Sequence, residues 1–142
     1  MSEYAAPATD AAPTPTSGIR RGAEGTAGIL AILMTGLAFV QFGLAGWGAF
    51  GGDFGVHGIL GTVVGVTAIV FLIATLVARP SKRLVWLGVL LFVLATPVQT
   101  VLAAVGFNVN AWFGALHALN GVIIFALSGY LMSEYRRRSA AR

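Results

Sequence analysis

The chain has 142 residues, of which 57% are hydrophobic and only 10% are charged. Soluble domains carry about 25% charged residues, so this composition excludes a soluble globular protein. Nine Lys and Arg residues against five Asp and Glu residues give a net charge of +4. The absence of cysteine excludes disulfides, thiolate metal sites and thiol catalysis.

Residues 1–27 are rich in Ala, Pro, Thr and Ser and show no apolar periodicity. Such a segment has little surface to bury, so it is predicted to be a disordered cytoplasmic tail. The apolar run that follows, residues 27–52, is longer than the stretch of about 7–15 apolar residues in a signal peptide. We therefore expect this N-terminal region to be retained and not removed as a signal peptide.

Four apolar runs follow, and none of them contains Lys, Arg, Asp or Glu. Each is long enough to cross a hydrocarbon core of about 30 Å, and backbone groups in lipid must be satisfied within a helix. The sequence therefore predicts an all-α polytopic membrane protein with an antiparallel four-helix transmembrane bundle over 28–135 and a basic cytoplasmic tail over 136–142. The predicted spans are 29–50, 54–78, 84–106 and 111–133.

All basic residues fall on one side of the predicted bundle. Cytoplasmic loops carry the excess of Lys and Arg, so both termini are predicted to lie in the cytoplasm, in a multi-pass protein of the cell membrane. Basic residues beside membrane helices favour anionic lipid headgroups, so the expected partner is the lipid bilayer and not nucleic acid. Tyr130 and Tyr135 are interpreted as interface anchors. The basic residues are Arg20, Arg21, Arg79, Lys82, Arg83, Arg136, Arg137, Arg138 and Arg142.

The spans contain an internal duplication. Residues 40–48 and 98–106 share the pattern V-Q-x-x-L-A-x-x-G, which includes Gln41 and Gln99. Each is followed by a histidine, His57 or His117, that has a glycine four positions later. The pattern predicts two tandem helical hairpins that are parallel repeats about an axis along the membrane normal.

The histidines are the main functional signal, because ionisable residues inside membrane helices are costly and usually functional. A two-fold axis would bring His57 and His117 together in the outer half of the bundle. We expect them to be the axial ligands of one haem b iron, with Gln41, Gln99 and Asn120 orienting them. Gly58, Gly61, Gly65 and Gly121 would leave room for the flat macrocycle. A zinc or copper site is disfavoured, because two histidines alone leave such a metal undercoordinated.

Two alternatives remain open. The paired His and Gln residues also fit interhelical packing contacts in a non-catalytic accessory or assembly subunit of a larger membrane complex, or in a homo-oligomer. A small-molecule or proton-linked transport site is the other alternative. The spans hold no nucleophile–base pair, phosphate loop or carboxylate pair. We therefore expect no catalytic activity, and at most the transfer of electrons by a redox carrier. Asp53 is expected to sit in a turn, and Thr75 and Thr96 to bond within their own helices.

Residues 97–106, followed by L-H-A-L-N-G at 116–121, resemble one four-helix half of the haem A synthase family and, more loosely, other membrane b-type cytochrome modules. The resemblance covers residues 29–135 and implies haem ligands at His57 and His117. Phe54 and Gly58 stand where that family has a glutamate and an arginine, so haem modification is not implied. The H-x-x-x-G and H-x-x-N-G motifs also resemble small uncharacterised four-helix membrane proteins of actinobacteria, a likeness that implies no activity.

Overall fold

The structure is a computed structural model that describes residues 18–141. It contains four long helices joined by short loops, an arrangement that makes neighbouring helices antiparallel. All four are long and apolar enough to cross a membrane, and no strand lies within the described residues. The all-α four-helix prediction is therefore confirmed. The helices are α1 Gly18–Ala49, α2 Gly55–Ala78, α3 Lys82–Asn108 and α4 Ala111–Ala140.

Both predicted tails differ from the structure. Residues 18–27 belong to α1, and residues 1–17 lie outside the described part of the chain. Composition does not predict this part of α1, because tertiary contacts stabilise it. Glu24 and Ala27 are buried against other helices. At the other end, α4 continues to Ala140 and includes most of the predicted basic tail.

Short polar side chains set the starts of the helices. The Ser81 hydroxyl accepts from the Leu84 N–H at the start of α3, and the Asn110 side chain accepts from the Trp112 N–H at the start of α4. Such contacts satisfy backbone donors that lack a partner in the first turn. Asp53 accepts from the backbone two residues later, which confirms the predicted turn before α2.

Helix α3 changes its winding in the middle of the bundle. Leu94–Val98 forms a single π-helical turn that contains Pro97. Proline has no N–H to donate and its ring displaces the preceding turn, so the winding widens at this point. Helix α2 lies beside Lys82–Val93 and the π turn, but within the described chain it has no close backbone contact with Gln99–Asn108. The two helices therefore diverge beyond the π turn.

Contacts between distant segments stabilise the end of the bundle that holds the described Lys and Arg residues. We call the group formed by Glu24, Arg138 and the Pro80 carbonyl the polar latch. Arg138 Nε donates to Glu24 in α1 at 2.5 Å, and its Nη2 donates to the Pro80 oxygen at 3.1 Å. Close by, the buried Tyr135 hydroxyl lies 3.0 Å from Thr75 Oγ1. The latch and this pair join α1, α2 and α4 to the loop between α2 and α3.

Candidate functional site

A cavity of about 630 Å³ lies in the half of the bundle opposite the polar latch, with walls from all four helices. Its volume falls within the range of about 300–1,000 Å³ that is typical of small-molecule sites. Of the residues predicted to form the site, all but Asn120 line this cavity. They are Gln41, His57, Gly58, Gly61, Gly65, Gln99, His117 and Gly121.

Aromatic side chains flank the cavity at its loop end, and the cavity is open at its side. The Phe54 ring lies 6.0 Å from the His57 ring and 5.7 Å from the Phe107 ring. At the side, Val66 of α2 and Thr100 of α3 line the cavity and are also exposed. The opening therefore lies where α2 and α3 diverge. In a bilayer it faces hydrocarbon.

The two histidines meet across the bundle. Their ring centroids are 6.0 Å apart and the ring planes are inclined by 64°. His57 comes from the first turn of α2 and His117 from the second turn of α4, so equivalent positions of the two hairpins supply them. The expected juxtaposition of the histidines is present.

The duplication is visible as two equivalent contacts, which we call the first and second clasps. In the first clasp Gln41 Nε2 donates to the His57 carbonyl at 3.1 Å. In the second clasp Gln99 Nε2 donates to the His117 carbonyl at 3.2 Å. The glycine that follows each histidine makes room for the amide, since a Cβ at Gly61 would lie 3.1 Å from Gln41 Nε2. Each clasp joins the two helices of one hairpin.

The polar groups of the second clasp are paired with one another. His117 Nδ1 lies 3.1 Å from the Gln99 carbonyl, which can only accept, so this nitrogen is assigned the proton. His117 Nε2 lies 3.3 Å from Gln99 Nε2. Asn120 Nδ2 donates to Gln99 Oε1 at 2.5 Å and to the Leu94 carbonyl at 2.9 Å. Asn120 therefore orients Gln99 and does not touch the imidazole, which corrects the role predicted for it.

The first clasp is incomplete, because Leu60 occupies the position that matches Asn120 in the second hairpin. Within residues 18–141, Gln41 Oε1 and, on the facing wall, Thr96 Oγ1 are buried without a hydrogen-bond partner. The His57 ring approaches the Gln41 backbone, as His117 Nδ1 approaches that of Gln99, but its Nδ1 lies outside hydrogen-bond geometry. Gln41, His57 and Thr96 all line the cavity. An unpaired buried polar group costs about 1–3 kcal/mol, so such groups in native proteins usually have a protein, water or ligand partner. Gln41 Oε1 and Thr96 Oγ1 can therefore take a water or ligand partner.

One residue of the site, Thr96, was missed by the sequence interpretation. Thr96 was expected to bond within its helix, but it lies in the π turn and its hydroxyl has no partner. The proline that follows it is the one signal that could have marked this departure. Thr75 was also expected to bond within its helix, and it pairs instead with Tyr135. Among the described residues, no group of three or more His, Asp or Glu side chains is arranged to hold a metal ion.

Comparison with known proteins gives one match. The profile described as "Family of unknown function (DUF6220)" matches residues 41–105, which is less than half of the chain. The matched segment begins at Gln41 and includes His57, Thr96 and Gln99, but it ends before His117. No curated protein and no solved structure matches. The chain is thus similar to proteins of unknown function, and its resemblance to haem A synthase and to actinobacterial proteins stays a prediction.

Proposed function

We propose that this membrane protein binds a planar, lipid-soluble molecule in the cavity between its four helices. The observation that carries the proposal is a cavity that opens sideways between α2 and α3, with two wall residues, Gln41 and Thr96, that each carry a buried polar atom without a partner among the described residues. A molecule dissolved in the bilayer reaches such an opening directly. Apolar walls with a few polar groups are typical of small-molecule sites.

The shape of the cavity favours a flat occupant. Gly58, Gly61 and Gly65 form one wall along α2, and a Cβ added at Gly58 would meet nothing within 4 Å. At Gly65 the nearest atom would be Thr96 Oγ1 at 4.0 Å. Without side chains on this wall, a ring can lie directly against the helix backbone.

The excess of basic residues at the latch end supports an orientation. Because cytoplasmic loops are rich in Lys and Arg, we infer that both termini lie in the cytoplasm. The cavity then opens into the outer leaflet of the cell membrane. An occupant would then enter and leave the cavity through the lipid of the outer leaflet.

Filling the cavity should weaken binding. We expect Gly65→Leu to weaken saturable binding of the planar apolar dye 1-aminoanthracene by at least about tenfold, because the new side chain occupies the ring position. Binding is measured by dye fluorescence with the protein in lipid nanodiscs. Gly36→Leu in α1 is the matched control, since Gly36 is exposed and an added Cβ there meets nothing within 4 Å. Equal loss in both variants, or none in either, would contradict the proposal.

Haem b is a second candidate for the same cavity, and the spacing of the histidines favours it. Two imidazoles bound to opposite faces of one iron at about 2 Å per bond have ring centres about 6 Å apart. The separation of the two rings is 6.0 Å. Haem b supplies a one-electron redox centre, so the protein would then serve in electron transfer or in haem or redox sensing.

The surroundings of His117 suit a histidine that binds haem iron, but the Gln99 amide would have to move. Histidine ligands usually donate their other ring N–H to a carbonyl, as His117 Nδ1 does to Gln99. The Gln99 amide would have to leave His117 Nε2 before that atom could bind iron. No Lys or Arg among residues 18–141 lines the cavity, so the haem carboxylates would have to reach the aqueous surface beyond Phe54 and Phe107.

An optical spectrum tests haem directly. If haem b is the occupant, protein purified from haem-supplied cells will show a sharp reduced α-band and about one haem per chain by pyridine haemochrome assay. We expect both signals to be lost in His57→Ala and in His117→Ala and to persist in Gly36→Leu. A featureless spectrum from the folded wild-type protein rules haem out. The two clasps would then remain as interhelical contacts, as in an accessory subunit.

A further inference from the structure

We propose that the occupant of the cavity is a para-hydroquinone headgroup on an apolar tail, and that the site prefers the reduced hydroquinone to the oxidised quinone. This inference rests on the proposed function, because it identifies the molecule that the same cavity binds. It rests on three features of the site: the hydrogen-bond direction at Gln41, the placing of two polar side chains along α2, and the neutral, lipid-facing surroundings.

The direction of the Gln41 hydrogen bonds sets the first requirement. Gln41 Nε2 donates to the His57 carbonyl, so the identity of the amide nitrogen is fixed and Oε1 is the unpaired atom. An amide oxygen can only accept. In the second clasp Asn120 supplies the donor for the equivalent oxygen of Gln99. An occupant with an O–H or N–H can therefore supply the donor for Gln41 Oε1 that Leu60 does not.

The placing of two polar side chains along α2 sets the second requirement. The Gln41 amide lies beside Gly61, and the Thr96 hydroxyl lies beside Gly65. These two glycines are four residues apart in α2, a rise of about 6 Å. The two oxygens of a para-hydroquinone stand on opposite ends of one ring at a similar separation. With one hydroxyl at Gln41, the other comes level with Thr96, whose hydroxyl can donate or accept.

The surroundings set the third requirement. In the described part of the chain no Asp, Glu, Lys or Arg lines the cavity, so a neutral headgroup fits it. The opening between α2 and α3 leads through exposed apolar residues such as Val66, so an apolar tail can extend into the lipid while the ring stays inside. The His57 side chain lines the same space. A quinone carries only acceptors, so it leaves Gln41 Oε1 without a donor.

The test is competition against 1-aminoanthracene in anaerobic nanodiscs that contain the full chain. The competitors are a decyl-substituted benzoquinol and the matching decyl benzoquinone. We expect the quinol to displace the dye at a concentration at least about tenfold lower than the quinone. Equal displacement, or tighter binding of the quinone, overturns the inference while saturable dye binding leaves the proposed function standing. Failure of the dye to bind saturably removes both.

A substitution that repairs the first clasp provides the sharper test. Leu60→Asn places a donor where Asn120 stands in the second hairpin, so Gln41 Oε1 gains an internal partner. We expect this variant to reduce the preference for quinol over quinone to less than about twofold, with dye binding retained. Leu60→Met, which adds no donor, should keep the wild-type preference. An undiminished preference in Leu60→Asn would show that Gln41 Oε1 does not select the ligand.

Discussion

Replacing Arg138 with leucine is expected to lower the unfolding free energy by about 2–3 kcal/mol. Removing one partner of a buried ion pair costs about 3–5 kcal/mol, because the remaining charge stays in a low-dielectric environment. The Glu24 side chain is only 8% exposed, whereas that of Arg138 is 38% exposed, so we place the effect at or below the low end of that range. The substitution also removes the hydrogen bond to the Pro80 carbonyl.

Arg137→Leu is the matched control for this prediction. Arg137 also forms an ion pair, with Glu134 in the same helix, but its side chain is 66% exposed. Exposed pairs contribute about 0–1 kcal/mol, so this variant should unfold almost like the wild-type protein. The measurement is the temperature at which half of the detergent-solubilised protein remains folded. Similar shifts in the two variants would show that the latch does not stabilise the bundle.

Gly106→Ala is expected to destabilise the second hairpin by about 1–3 kcal/mol, the usual range for overpacking. A Cβ at Gly106 would lie 2.6 Å from the Gly114 nitrogen and 2.8 Å from its Cα. Both are backbone atoms, so no side chain can rotate away and α3 and α4 must separate. This loss should exceed the gain in helix propensity from replacing glycine with alanine, which is below about 1 kcal/mol.

The control for this prediction is Gly36→Ala, which makes the same chemical change in α1. An added Cβ at Gly36 has open space around it, so only the propensity gain remains and the variant should be neutral or slightly more stable. Heating the two variants side by side in detergent compares them directly. If Gly106→Ala tolerates heat as well as Gly36→Ala, the close approach of α3 to Gly114 is not needed for folding.

The parts of the fold that the sequence predicts are those recorded in local patterns. Apolar runs without charges mark the four spans, because length and hydropathy alone decide whether a helix crosses a bilayer. The paired Gln and His residues could be recognised because polar residues are scarce in these spans. Their repeat also predicted that His57 and His117 would meet.

The parts that could not be predicted depend on contacts between distant segments. Glu24 and Arg138 are 114 positions apart, so nothing in the local sequence around either residue indicates the pair. Tyr135 was interpreted as an interface anchor from its position near the end of a span, but it is 1% exposed and packs edge-on against Phe71. The unpaired amide oxygen of the first clasp emerges only from comparing the two hairpins in three dimensions.

The polar latch lies at one end of α2, and the side opening lies in the half of the helix away from it. A small tilt of α2 at the latch is therefore enlarged along the helix. Helix α2 rises about 36 Å over its 24 residues. A tilt of about 5° at the latch therefore displaces the other end by about 3 Å, close to the thickness of an aromatic ring. The contacts of the latch thus constrain the width of the opening, although no residue of the latch lines the cavity.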